Sequence, residues 1–221
     1  MVAAQKAYKG VAMEGPIARW YTKNTGRDLS RFTRTAREVA ARVRPGSAIL
    51  EVAPGPGYLS IELAKRGYEM TAVDISRSFV RIAAENAARA GVRVDVRHGN
   101  AAALPVDDAA FDCVVCTAAF KNFADPVGAI NEMYRVLKPG GHGSILDLRK
   151  DASPDDIAAE VRSMQLSPLN AFVTRLTFRF MLLKSAYTRD ALERMAAQSR
   201  FGEGVITTDG IGFELRLTRN R

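Results

Sequence analysis

The chain has 221 residues, of which 47% are hydrophobic and 25% charged, the ordinary mix of a globular chain; a disordered tail, a collagen-like repeat and a coiled coil are excluded. The net charge of +8 is concentrated in residues 1–44, where ten Lys or Arg stand against three Asp or Glu. No apolar run approaches the roughly 20 residues of a membrane span, and the opening MVAAQKAYKGVAMEG lacks the apolar core of a secretory signal, so a cytoplasmic protein is expected.

Residues 27–44 read as an amphipathic helix, with Leu29, Phe32, Ala36, Val39, Ala40 and Val43 on one face and Arg27, Arg31, Arg34 and Arg42 on the other. Pro45-Gly46 stops it. Residues 1–44 are therefore taken as an N-terminal helical cap. Their basic excess suits an acidic substrate, an anionic membrane face or nucleic acid, and equally a solvated helix face. From residue 45 strands and helices alternate. Strands are predicted at 48–53, 69–74, 92–97, 111–117 and 144–148, with helices at 58–66, 78–90 and 126–137. Lys138-Pro139-Gly140-Gly141 breaks the last of these helices. The tail reads as a helix at 188–199 and two strands, 203–208 and 212–218, joined at Asp209-Gly210. The expected fold is α/β, a doubly wound, mostly parallel seven-stranded sheet with an antiparallel last strand.

The main domain is taken as 45–221, with a cap insert at about 150–187. Within the insert, Phe172, Leu176, Phe180 and Leu183 recur at helical spacing, and Phe178, Met181 and Leu182 add apolar area elsewhere on the helix. Such a helix either packs on the domain or roofs a ligand. Arg175 and Arg179 suit a carboxylate or a membrane surface, or simply water. Cys113 and Cys116 spell C-x-x-C inside a predicted strand, where residues three apart face opposite ways; with no second pair in the chain, no metal site is expected.

The strongest chemical signal is ILEVAPGPGYLSIELAKRG. A strand enters a turn with Gly55 and Gly57, whose lack of side chains lets a ligand approach the backbone, and a helix with unpaired N–H groups follows. Such turns serve many ligands, dinucleotides among them. Three features discriminate. Glu51 lies inside the strand just before the loop, where a phosphate is unwelcome and an amino group is not. Asp74 closes the next strand and suits the two hydroxyls of a ribose, or caps the following helix. Gly99-Asn100-Ala101 follows the third strand, where a short polar side chain reads an adenine amino group or makes a turn.

With these blocks in place, the sequence resembles the class I S-adenosylmethionine-dependent methyltransferases, and within them the small-molecule group that includes ubiquinone/menaquinone-biosynthesis methyltransferases. The matching blocks are EVAPGPG, the acid of AVDIS, HGNAAALPVDDAAFDCVV and EMYRVLKPGG, in order. The resemblance implies a Rossmann-like core and S-adenosylmethionine as cofactor. It implies that Gly55 and Gly57 line the methionine part, with Glu51 supporting the loop or the amino group. Asp74 would hold the ribose, Ile75 would flank the adenine, Asn100 and Ala101 would meet its edge, and the Thr117 backbone would meet the amino-acid end. Tyr21 resembles the aromatic that such caps lower onto the methionine moiety. Two departures stand out: the first loop glycine of the family is Ala53 here, and its acid after the third strand is Asn100.

Methyl transfer from a sulfonium needs alignment and dryness more than acid–base chemistry. His98 and His142 read as structural. Lys121, where relatives often carry histidine, is the candidate to orient an anionic acceptor or to act as a base, with Tyr21 as the second catalytic candidate; Asp147, Arg149, Lys150 and Asp151 follow the fifth strand and are further candidates to touch substrate. The acceptor implied is a small hydrophobic or aromatic molecule. The alternatives kept open are a nicotinamide-dependent oxidoreductase and a non-catalytic cofactor- or nucleic-acid-binding protein. No nucleic-acid partner is expected, and peripheral membrane contact is left open.

Overall fold

The computed structural model describes residues 8–10, 12–27, 29–164, 167–178 and 182–220, with the side chain of residue 169 set aside. Arg179, Phe180 and Met181 of the insert lie outside the described residues. In chain order the elements are α1 (Gly15–Thr25), α2 (Ser30–Ala40), β1 (Ala48–Val52), α3 (Tyr58–Ala64), β2 (Glu69–Asp74), α4 (Arg77–Arg89), β3 (Val94–His98) and β4 (Phe111–Thr117). A short 3-10 turn, Phe120–Asn122, precedes α5 (Pro126–Val136) and β5 (Leu137–Leu148). Then come α6 (Pro154–Ser163), α7 (Pro168–Thr177), α8 (Arg189–Gln198), β6 (Val205–Asp209) and β7 (Gly212–Thr218).

One seven-stranded sheet has the order β3-β2-β1-β4-β5-β7-β6. The β1 to β5 strands run parallel and β7 runs antiparallel to both β5 and β6, as the pattern of the sequence predicts. Each face buries its own cluster. Leu50, Val52, Val114 and Cys116 pack under α5 and α8 with Ile130, Met133 and Leu192. Ile49, Cys113 and Val115 pack on the other face with Leu59, Leu63, Ala36 and Val39. Cys113 and Cys116 thus point to opposite faces of the sheet, and burial pushes the Cys113 thiol up to about 12.

The N-terminal segment divides in two. The predicted helix at 27–44 is shorter, Ser30–Ala40, and its inner residues Ala36, Val39 and Val43 belong to the cluster beneath the sheet. Phe32 and Ala40 pack against that cluster, whereas Leu29 stays 44% exposed. The helix α1 instead contacts α4, with Ala18 buried against Phe79 and Ile82.

Two further elements depart from expectation. Strand β5 begins at Leu137, not at 144, because the Lys138-Pro139-Gly140-Gly141 stretch is absorbed into the ladder: the Gly140 N–H donates to the Arg219 carbonyl and the Arg219 N–H to Gly141. The register against β4 shifts between Phe111 and Cys113 to take up the slack. In the insert, Phe172 and Leu176 are exposed, while Phe178 and Leu183 are buried with Ile157, Val161 and Ile211. The regular helix ends at Thr177, so one 3.6-residue period does not carry from Phe172 to Leu183.

Candidate active site

The carboxyl ends of β1, β2 and β4 meet where the strand order reverses, the crevice in which open α/β sheets take ligands. The loop at 53–57 leaves β1 there. Its backbone is left-handed at Ala53 (φ 57°), Gly55 (φ 55°) and Gly57 (φ 79°). The two glycines have different roles. A Cβ on Gly57 would lie 2.9 Å from the Ala83 Cβ, so this glycine lets α4 approach the loop. A Cβ on Gly55 would meet only the Tyr21 ring, at 3.9 Å. Gly55 therefore presents bare backbone to open space beneath an aromatic ring.

Two buried carboxylates hold this loop. Glu51 is 1% exposed and accepts the Ser60 hydroxyl from the first turn of α3. Burial pushes the Glu51 carboxyl up to about 7, with the Ser60 hydrogen bonds opposing. Asp74 is 4% exposed; its Oδ2 accepts the Gly55 N–H at 3.0 Å and its Oδ1 the Ser76 N–H at 2.8 Å. Burial raises its carboxyl to about 6 against those two backbone donors. Asp74 does not cap α4; Ser76 does, taking the Phe79 N–H at 3.1 Å.

Beyond β2, Ile75 is 39% exposed, and its carbonyl pairs with the His98 Nε2 at 3.0 Å, which ties the ends of β2 and β3. The Asn100 amide oxygen accepts the Ala102 N–H at 3.0 Å and its carbonyl accepts the Ala103 N–H at 2.9 Å, a turn that places Ala101 at its tip. This turn is fixed from behind. Glu132 takes the Leu104 N–H at 2.7 Å, and Arg135 donates to the Leu104 and Val106 carbonyls, both at 2.9 Å. The acid and arginine of EMYRVLKPGG thus brace the loop after β3.

A strap that sequence reasoning missed crosses the crevice. Tyr8 bridges to Phe123, and the Lys9 N–H donates to the Asn122 carbonyl at 2.8 Å. At its other end Glu14 accepts the Arg77 N–H (2.8 Å) and the Ser78 N–H (3.0 Å) of α4. The Gly15 N–H donates to the Ser78 hydroxyl at 2.9 Å and the Ser76 hydroxyl to the Met13 carbonyl at 2.6 Å. With Ser76 on Phe79, every N–H of the first turn of α4 is satisfied. Tyr21 descends next to Gly55 and meets Phe79 edge-on at 5.7 Å between centroids. Burial raises the Tyr8 hydroxyl above its ordinary value, reinforced by the Asp74, Tyr21 and Asp147 charges, so this phenol lies among the acids of both halves of the crevice. The only signal in the sequence was an aromatic residue in a basic segment.

On the β4–β5 side, Thr117 ends its strand half-buried and Ala118 turns left-handed at φ 56°. Lys121 follows, and its side chain is only 11% exposed. Its Nζ donates to Asp147 Oδ1 at 2.6 Å and to the Ala118 carbonyl at 3.1 Å. Asp147, with a fully buried side chain, also takes the Lys121 N–H at 3.0 Å and the Leu148 N–H at 2.7 Å. The pair staples the ends of β4 and β5 together. Beside it, Phe120 packs on Phe123 and Tyr187, each at 5.6 Å. Of the other candidates after β5, Arg149 is turned to structure: it pairs with Asp156 at 2.6 Å and Asp151 at 3.4 Å and bonds the Gly210 carbonyl at 2.9 Å. Among the described residues no group of three His, Cys, Asp or Glu is set to hold a metal, and no helix is long and apolar enough to cross a membrane.

Comparison with known proteins agrees with this geometry. Residues 50–145 match the methyltransferase domain family. A demethylmenaquinone methyltransferase of Thermus thermophilus is 39% identical over 124 residues, 55% of this chain and 56% of that protein. A ubiquinone/menaquinone biosynthesis C-methyltransferase of Marinomonas is 34% identical over 50% of this chain and 46% of its own length. The chain thus spans about half the length of the curated relatives it matches. A crystal structure assigned as an S-adenosyl-L-methionine-dependent methyltransferase, from Methanococcus maripaludis, superposes with a TM-score of 0.74 at 21% identity, covering 93% of both chains, and so shares the fold. Residues 50–145, which carry the loop at Gly55 and the acid at Asp74, are thus similar to the methyltransferase domain family, and over about half its length the chain resembles ubiquinone/menaquinone-biosynthesis methyltransferases.

Proposed function

We propose that the protein transfers a methyl group from S-adenosylmethionine to a small hydrophobic or aromatic acceptor by in-line displacement. The observation that carries this reading is the opening above Gly55, floored by a left-handed loop, walled by Asp74 and roofed by Tyr21. The residues fit the cofactor. Gly55 offers backbone to the methionine part, with Ala53 beside it, and Glu51 with Ser60 supports the loop or receives the amino group. A carboxylate has about four lone-pair sites, so Asp74 keeps acceptor capacity for the ribose hydroxyls beyond the two N–H groups it already holds. Ile75 flanks the adenine, Asn100 and Ala101 meet its edge, and the Thr117 backbone meets the amino-acid end. Gly57 contributes by packing rather than by contact. When bound, the cofactor supplies a methyl group made electrophilic by its sulfonium.

The chain's own residues align and enclose. Tyr21 and Tyr8 keep water from the reacting centre. Tyr187, half-buried and backed by the buried rings of Phe120 and Phe123, supplies an aromatic wall on the acceptor side. Lys121 has three donors, of which two are engaged, and its third orients an anionic oxygen of the acceptor. The names of the curated relatives point to quinone-type rings, which suit such a wall. The cytoplasm is the compartment this reading favours, supported by two free buried thiols. A nicotinamide cofactor finds less support, because the buried acid Glu51 beside the loop disfavours a pyrophosphate.

Calorimetry with S-adenosylhomocysteine tests the site. Asp74→Asn weakens binding tenfold or more, about 1.4 kcal/mol; an unchanged affinity removes Asp74 from the ribose. Labelled S-adenosylmethionine incubated with thiols, amines, phenols and quinols then reads the acceptor class, and no transfer to any quinol or phenol overturns the aromatic assignment.

A further inference from the structure

The insert after β5 has an outer face that the methyl-transfer site does not use. On α7, Phe172 is 61% exposed, Val173 53% and Leu176 40%. At about 100° per residue these three fall within roughly 100° of arc, while Ala171 and Phe178 on the other side of the turn pack against Ile157, Val161 and Leu183. The exposed residues are therefore a stripe, and not the isolated apolar side chains that surfaces normally carry. Leu182, 39% exposed, continues the apolar surface past the helix.

The charge around this stripe has one sign. Between residues 161 and 187 the sequence holds Arg162, Arg175, Arg179 and Lys184 and no acid. Arg162, Arg175 and Lys184 are exposed, and none is ion-paired among the described residues. Two acids of α6, Asp155 and Asp156, lie in its first turn, where Asp156 is engaged by Arg149, and Glu160 stands just before Arg162. A protein–protein interface tends to lose lysine from its apolar centre; an apolar stripe flanked chiefly by basic side chains is the pattern of a helix lying in an anionic membrane interface. The insert departs from the carboxyl end of β5. At the carboxyl ends of the parallel strands, α1, latched to the start of α4, also exposes Ile17 (43%) and Trp20 (66%) one turn apart. Tryptophan and basic residues favour the headgroup level.

We infer that α7 and its basic flanks dock the protein on the surface of an anionic lipid bilayer. The stripe enters the headgroup boundary, and Arg162, Arg175 and Lys184 meet lipid phosphates. Vesicle binding is measured without cofactor or acceptor, so this inference stands or falls separately from the methyl-transfer reading.

The test is co-sedimentation of the full chain with vesicles of phosphatidylcholine and phosphatidylglycerol in equal parts, against phosphatidylcholine alone. Binding to the anionic vesicles is expected to exceed binding to the neutral ones at least tenfold and to fall several-fold when salt rises from 0.1 to 0.5 M, as roughly expected for surface charges. Phe172→Asp with Leu176→Asp lowers it tenfold or more, and Arg175→Glu with Lys184→Glu at least fivefold, while affinity for S-adenosylhomocysteine, which reports an intact fold, is unchanged. Equal binding to both vesicles, no binding to either, or loss of S-adenosylhomocysteine affinity in parallel with vesicle binding overturns the inference. So does a dimer in solution that Phe172→Asp converts to monomer, because the stripe is then covered by a second copy.

Discussion

The two halves of the crevice are built on different principles. The half proposed for the cofactor, at the ends of β1 and β2, is built on backbone geometry buttressed by buried carboxylates: the left-handed loop at 53–57 is tied to the Asp74 carboxylate, and Glu51 to Ser60 in the first turn of α3. The half proposed for the acceptor, at the ends of β4 and β5, is held by side chains: the Lys121–Asp147 ion pair and the ring cluster of Phe120, Phe123 and Tyr187. Backbone geometry constrains residue type at fixed spacing, so the first half leaves little freedom of sequence. A side-chain staple constrains only a pair of partners, so the second half is free to change with the acceptor. Residues 8–10, pinned to Asn122, and 12–15, pinned to α4, hold the strap to the two halves.

The sharpest way to break the acceptor half alone is Lys121→Met. Removing one partner of a buried pair leaves an uncompensated charge and costs about 3–5 kcal/mol. Chemical denaturation should read that loss, and Lys121→Met with Asp147→Asn should recover most of it while S-adenosylhomocysteine affinity stays near the original. If the single variant is as stable as the parent, the pair is not the staple between β4 and β5.

The cofactor half responds instead to pH. The Glu51 carboxyl lies at about 7 when folded, above its ordinary value near 4.5, because burial disfavours the charged form. Between those values the folded chain binds more protons than the unfolded chain, so stability is full at low pH and is lost as pH rises through about 7. The slope is about 1.4 kcal/mol per pH unit for one group. Asp74, at about 6, adds loss in a lower window. Glu51→Gln should remove the upper part of the slope and make the ligand-free protein more stable at pH 8. A cationic amino group near Glu51 reverses the preference, so S-adenosylhomocysteine binding at pH 6.5 should release a fraction of a proton, seen as a dependence of the calorimetric heat on buffer ionisation enthalpy. A heat independent of buffer in both parent and variant would disconnect Glu51 from the ligand.

These halves also differed in how far the sequence disclosed them. Glu51, Gly55 and Asp74 were legible because strand, turn and next strand fix their relative positions locally, and the mostly parallel sheet followed from alternation, though its strand order did not. Lys121 was visible as a residue, but its partner Asp147 lies on the next strand and was grouped with the candidates to touch substrate. Ser60, Glu14 and Tyr8 were missed because a serine in a helix, an acid in a basic segment and one tyrosine carry no periodic signal; only tertiary contact gives them a role. The extent of β5 was hidden for the same reason, since Pro139 and Gly140 read as a break until the pairing with Arg219 is seen.

The strap gives a smaller effect that separates enclosure from affinity. Glu14 satisfies two N–H groups at the positive end of α4, so Glu14→Ala should cost about 1 kcal/mol, the usual worth of a lost helix cap. Because the strap closes over the cofactor half, the same variant should speed release of S-adenosylhomocysteine in stopped flow more than it slows association. Equal changes in both rates would make Glu14 a cap of α4 and nothing more.

The smallest effect has the opposite sign. Ala53 holds a left-handed backbone at φ 57°, although an L side chain there costs roughly 1–2 kcal/mol. Glycine removes that cost but adds freedom to the unfolded chain, worth roughly 0.5–1 kcal/mol the other way. Ala53→Gly should therefore stabilise the protein by a few tenths to about 1 kcal/mol, a rise in melting temperature of a few degrees at most. The Ala53 N–H donates to the Val73 carbonyl at 2.8 Å and the residue sits between β1 and the loop, so the cradle beneath Tyr21 need not move. If the variant is less stable, the alanine methyl, which packs against the core cluster of α5 and α8, supplies more contact than its backbone strain removes. The residue would then be a packing solution particular to this chain, and the rigidity of the cofactor half would rest on side-chain contact after all.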